Sequence, residues 1–312
     1  MDEERFVPVA GALGVKIHAP ENSCVSFCNS PFPAHRDYGA LDIYPAEAKF
    51  KDEVACPVNG IVKEVRRFSS PSLFPDKPPI YEYLTLIESD ENPSVFVKII
   101  HACPKVSVGD RVSVGEKIAV LIHSGYYPFW VDPHIHVELR NPKNPVRAAG
   151  SYDLGVLNTG NCEEKNPKVP YEVGIVGVVN KIEKRYVIVQ PNPEHWLKVG
   201  IFSGLRVTTR KGAGILDGGI PFMGYAGVIA GQNITTGSQV YMGGTSIGEV
   251  NESLNGLTKL NTVAFKIVIG GLEYLGFSSN LCLGDTPQFK LIPMKTSQIN
   301  LHVGETITIK KS

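Results

Sequence analysis

Apolar and polar residues alternate along most of this chain. YLTLIES (83–89), SVFVKIIH (94–101), KIAVLIHSG (117–125) and HIHVELR (134–140) carry this two-residue period and are rich in β-branched side chains. Glycine, proline or asparagine lies between them, which predicts strands joined by turns. After residue 170 the pattern resumes. YEVGIVGVVNKIEKRYVIVQ (171–190) reads as a hairpin, and glycine-punctuated strands follow as far as ITIKK (307–311). No segment holds a helical repeat of ten or more residues, so both halves are expected to be all-β. Proline, glycine and asparagine accumulate over 141–170, where the period lapses. The expected organisation is a first domain at 1–150, a linker at 151–169 and a β-rich barrel or sandwich of unassigned role at 170–312. Glycines crowded into 200–250 fit tight turns of such a fold.

The 312-residue length suits two domains. Lysine plus arginine equals aspartate plus glutamate at 31 each, so no global field draws the chain to nucleic acid or an anionic membrane. No run is long enough for a bilayer-spanning helix, and the acidic, proline-broken N-terminal stretch does not read as a secretory signal; a cytoplasmic location is the expectation. Six cysteines are scattered. Cys24 and Cys28 form a C-x3-C with no second pair at metal spacing, and reduced thiols are expected.

One strand is chemically unusual. In DPHIHVELR (132–140) the period of two projects His134 and His136 to the same face, Ile135 and Val137 to the other. His35 and Asp42 occur together in PAHRDYGALDIYP (33–45), and His101 ends an apolar strand. A catalytic zinc takes three nitrogen or carboxylate ligands and keeps a position open. His35, Asp42 and one of His134 and His136 would make such a set, leaving the other histidine and His101 to move protons or hold a developing oxyanion. Taken singly, each histidine has a plain reading as a loop or strand-end residue. Only their joint occurrence argues for a site. His18 and His123 fall outside it, His195 beside Trp196 reads as a loop anchor, and Asn233 and Asn251 carry glycosylation triplets that mean nothing without secretion. Glu138 alternates onto the face of His136 and would either orient it or be a solvated strand residue.

The order of these residues resembles peptidase family M23, the lysostaphin/LytM-type zinc metalloendopeptidases. The similarity lies in LDIYPAEAKFKDEVACPVNGIVKEV (41–65), KIIHACPKVSVGDRVSVGEKIAVL (98–121) and PHIHVELRNPKNPVRA (133–148), and covers about 15–150. It implies an antiparallel sheet/barrel-sandwich hybrid for the first domain. It further implies Zn2+ held by His35, Asp42 and His136, catalytic roles for His101 and His134, and hydrolysis of peptide or peptidoglycan-like amides. Two features depart from the family. Six residues rather than three separate His35 from Asp42, placing Tyr38 where the family's histidine would stand and making Asp37 an alternative oxygen ligand. A proline-rich insertion, SSPSLFPDKPPIYEY (69–83), is expected to be a surface loop. The lengthened spacing and the missing export signal support an alternative, a degenerate domain that binds metal, peptide or glycan without hydrolysis. The strand-and-turn pattern also resembles biotinyl and lipoyl carriers, but no hairpin presents the lysine a carrier needs.

Overall fold

The computed structural model describes residues 4–70, 80–160, 162–163, 174–210, 212–295 and 299–310. They form an all-β protein of two compact units, residues 1–25 with 32–157 and residues 26–31 with 158–312. Two boundaries differ from the sequence expectation. Residues 151–157 belong to the first unit, because Gly155–Val156 pairs with Phe6–Ala12 and Ser151 bridges to Arg140. Residues 26–31 belong to the second unit: the buried Asp217 carboxylate accepts hydrogen bonds from Ser26 Oγ (2.5 Å) and the main-chain N–H groups of Phe27 (2.7 Å) and Cys28 (3.0 Å). Of the expected linker, 161 and 164–169 lie outside the described residues, as does the 71–79 part of the proline-rich insertion. The described ends of that insertion are not loop. Ser69 and Ser70 close the strand Gly60–Ser70, and Ile80–Tyr83 open the strand Ile80–Ser89, so the two strands form one long hairpin.

The first unit is built on a six-stranded antiparallel sheet. Its order is Ala40–Tyr44, Ile135–Arg140, Phe96–Ile100, Ile80–Ser89, Gly60–Ser70 and Arg111–Val112. All six residues of Ile135–Arg140 are buried. Ile135, Val137 and Leu139 join an apolar core with Leu41, Ile43, Val97 and Ile99. On the opposite face stand His136, Glu138 and Arg140, and the pairings His136↔Asp42 and Glu138↔Lys98 continue this polar face into both neighbours. A sheet covered on both sides allows a strand to bury polar groups only where each finds partners.

The second unit is a run of antiparallel hairpins around its own apolar core, which includes Val189, Val207, Val228, Leu260, Phe277 and Leu291. His195 is buried at a single 3₁₀ turn, Pro193–His195. No helix among the described residues is long and apolar enough to cross a membrane.

Candidate metal centre

Proline at the start of Pro33–Arg36 suits a first helical turn, where the missing N–H costs no hydrogen bond. That one turn carries His35 inward, 1% exposed. It closes through Asp37 N–H to Pro33 O and Gly39 N–H to Ala34 O, both 2.9 Å. The chain then reverses at Tyr38, whose φ is +61°. Gly39 follows, where a Cβ would stand 1.8 Å from Ser151 Oγ. This turn takes up the longer His35–Asp42 spacing. Tyr38 is buried but His35 stands in the donor position, and Asp37, the alternative ligand, is exposed.

Register supplies the other two donors, because Asp42 and His136 are direct antiparallel partners. His35 Nε2 lies 3.1 Å from His136 Nδ1 and 3.2 Å from Asp42 Oδ1, and His136 Nδ1 lies 2.9 Å from the same oxygen. A tetrahedral ion with bonds of about 2.0–2.1 Å separates its donors by roughly 3.3–3.4 Å. The triangle matches this to within a few tenths of an ångström. His35, Asp42 and His136 thus form a group able to hold a metal ion.

The surroundings orient these donors. Glu138 Oε1 lies 3.1 Å from His136 Nε2; a hydrogen bond there keeps a proton on Nε2, so that Nδ1, on the side of Asp42 and His35, is the nitrogen available to a metal ion. Glu138 also accepts from Lys98 Nζ (2.6 Å) and Arg140 Nη1 (2.8 Å). Arg140 is itself fully buried and donates to the carbonyls of Asn144 and Ala149. The orienting role is therefore the one Glu138 has; the solvated alternative is excluded by its 1% exposure.

His101 and His134 flank the triangle. Their ring centroids are 5.2 Å apart, and His101 is 5.8 Å from His136. His134 Nε2 is 3.5 Å from Asp42 Oδ2, while its Nδ1 donates to Asp132 O at 2.8 Å. Tyr127 packs against both rings and donates its hydroxyl to His134 O. His101 ends its strand at φ +74°, a left-handed conformation that a non-glycine residue adopts only under surrounding constraint. The constraint is Glu82, fully buried, which accepts from both the main-chain N–H and ring Nδ1 of His101. His18 and His123 lie outside the cluster; His123 stacks on Phe50.

Burial pushes the His134 imidazole down to about 3, and like charges on His101 and His136 assist. Burial would lower His136 as well, but hydrogen bonds and charge from Asp42 and Glu138 raise it to about 9. Burial would raise Asp42, yet the charges of His35 and His134 and hydrogen bonds from His136 and His35 hold it well below the usual carboxylate range. These opposed histidines set the pH response of the metal-free chain. Relative to an unfolded value near 6.5, His136 contributes stability that is complete below pH 6.5 and is lost as pH rises toward 9. His134 contributes stability that is complete above pH 6.5 and is lost as pH falls toward 3. Each limb amounts to at most about 1.4 kcal/mol per pH unit. Urea unfolding of chelator-treated protein is therefore expected to give a stability maximum near pH 6.5–7; a profile flat from pH 5 to 9 would contradict this electrostatic description.

Residues 15–156 match the family model described as "Domain of unknown function (DUF8155) N-terminal domain". The match carries no activity. It spans the whole cluster, from His35 to Arg140. No curated protein matches the chain.

His35, Asp42 and His136, with His101 and His134, are candidates from the sequence alone; Glu82, Lys98, Arg140, Ser124 and Tyr127 are not. Glu82 had a visible signal, since in IYEYLTLIES it falls in phase with Leu84 and Leu86, both buried. An acid in a buried phase requires partners. The proline-rich sequence before residue 80, expected as a loop through 83, masks this phase.

Proposed function

We propose that this chain is a zinc-dependent endopeptidase acting on peptide amide bonds, with glycine-containing or cross-linking peptides of the cell-wall type as the substrate class. The observation that carries this reading is the triangle of His35 Nε2, Asp42 Oδ1 and His136 Nδ1, with edges of 2.9–3.2 Å and two further imidazoles beside it. Two nitrogens and one carboxylate oxygen form a donor set typical of catalytic zinc. Zinc bound there supplies Lewis acidity that polarises a scissile carbonyl. The protein's own groups handle the protons. His101 and His134 each donate Nδ1–H to a fixed acceptor, Glu82 and the Asp132 carbonyl, which leaves Nε2 without a hydrogen in both; the carboxylate behind His101 makes that ring the better proton acceptor of the two. Once protonated, it stabilises negative charge developing on the substrate oxygen.

A second reading, a metal-binding domain that binds peptide or glycan without cleaving it, is favoured by one observation. The five groups are only 1–6% exposed. Both readings are tested together by incubating zinc-loaded protein with peptidoglycan fragments and oligoglycine peptides, with and without chelator. Cleavage abolished by chelator and restored by zinc is expected for the endopeptidase. Saturable binding with no new amine termini would leave the binding module.

A further inference from the structure

We propose that Glu82 is a positioning residue of this centre, acting through His101 to hold its ring in the Nδ1–H form, which leaves Nε2 as the nitrogen without a hydrogen. This deepens the endopeptidase reading and rests on it only in giving His101 a proton to carry. The structural part stands on the hydrogen bonds alone.

Glu82 has no exposed surface, and both of its carboxylate oxygens are engaged. Oε1 accepts the main-chain N–H groups of His101 and Tyr83, each at 2.9 Å. Oε2 accepts His101 Nδ1–H at 2.8 Å and the Ser124 hydroxyl. One carboxylate therefore satisfies the backbone of His101 at its left-handed kink and fixes the ring beyond it. An ionised carboxylate accepts only, so the ring nitrogen facing it must carry the hydrogen. Burial acts to raise the Glu82 carboxyl, but the bonds from His101 and Ser124 hold it below its ordinary value, which keeps it an acceptor. Ser124 attaches the segment leading to Tyr127 to the same carboxylate, so the support reaches two of the rings packed against His134, those of His101 and Tyr127.

The choice of variant follows from which donors can adapt. In Glu82→Gln the side chain keeps one oxygen and gains an NH2. The main-chain N–H groups of Tyr83 and His101 cannot become acceptors, so the glutamine oxygen must remain on their side. Its NH2 then faces His101 Nδ1, and the ring must change to the Nε2–H form to accept it. A residue that merely stitched two strands together would leave the tautomer unaltered.

The test uses the zinc-loaded full chain with ¹⁵N-labelled histidine. Long-range ¹H–¹⁵N spectra report the tautomer of each ring, and His101 signals are assigned by their loss in His101→Asn. The expected result is Nδ1–H in the wild type and Nε2–H in Glu82→Gln, with zinc content unchanged. On an oligoglycine peptide, kcat of Glu82→Gln is expected to fall about 10–100-fold with KM within about twofold, and Glu82→Asp to recover part of the loss. An Nε2–H form of His101 in the wild type overturns the proposal even if Glu82→Gln fails to fold. So does an unchanged tautomer in a folded Glu82→Gln, or wild-type kcat in that variant. If the tautomer changes as expected while the wild type cleaves no peptide, the positioning of His101 stands and the endopeptidase reading fails.

Discussion

Replacing His136 with alanine is expected to remove the proposed zinc binding while leaving the fold in place. His136 supplies the Nδ1 corner of the donor triangle, 2.9 Å from Asp42 Oδ1 and 3.1 Å from His35 Nε2. Altering a group that only orients a ligand typically lowers metal affinity about 10–100-fold; deleting the ligand itself is expected to exceed that. Glu138 loses one hydrogen bond but keeps Lys98 at 2.6 Å and Arg140 at 2.8 Å, so its buried charge remains compensated. The strand's apolar face is untouched. Because cysteines outside disulfides could take up zinc weakly elsewhere, the measurement should be affinity by competition with a chromophoric chelator, paired with a thermal melt. Wild-type affinity in a folded His136→Ala protein would refute the ligand assignment.

The second large effect belongs to His101. Its alanine variant is expected to lose about 10²–10³ in kcat on a glycine-rich peptide, equivalent to about 2.7–4 kcal/mol of transition-state stabilisation, with zinc affinity unchanged. Both halves follow from position. The His101 ring is within reach of the centre yet is not one of the three donors, and its Nδ1 belongs to Glu82. Equal loss of metal and activity would make His101 a ligand or a fold element rather than a proton carrier. Undiminished turnover would remove it from the mechanism altogether.

How much of this centre could be read from the chain differs from residue to residue. His134 and His136 were assigned to one face by strand period alone, and both lie against Asp42. Spacing does not place His35, because six intervening residues say nothing about the path they take. The helical turn of Pro33–Arg36, the reversal at Tyr38 and the tight approach of Gly39 to Ser151 settle where it points. Asp37, a near neighbour with suitable chemistry, is carried to the surface by the same turn. Glu82 was lost because proline-rich sequence beside it suggested a loop, although its hairpin strand continues through residue 80.

By itself the sequence determined the all-β character, the sharing of a face by His134 and His136, and the order of the groups that meet. The first two follow from side-chain alternation, which is a property of neighbours along one strand; the third rests on the resemblance to peptidase family M23. Tertiary structure decided the rest: the register that sets His136 opposite Asp42, the approach of His35, and the joining of Glu82 to His101. Register and loop path depend on which distant residues bury each other, and a local period carries no information about partners 94 or 101 positions away.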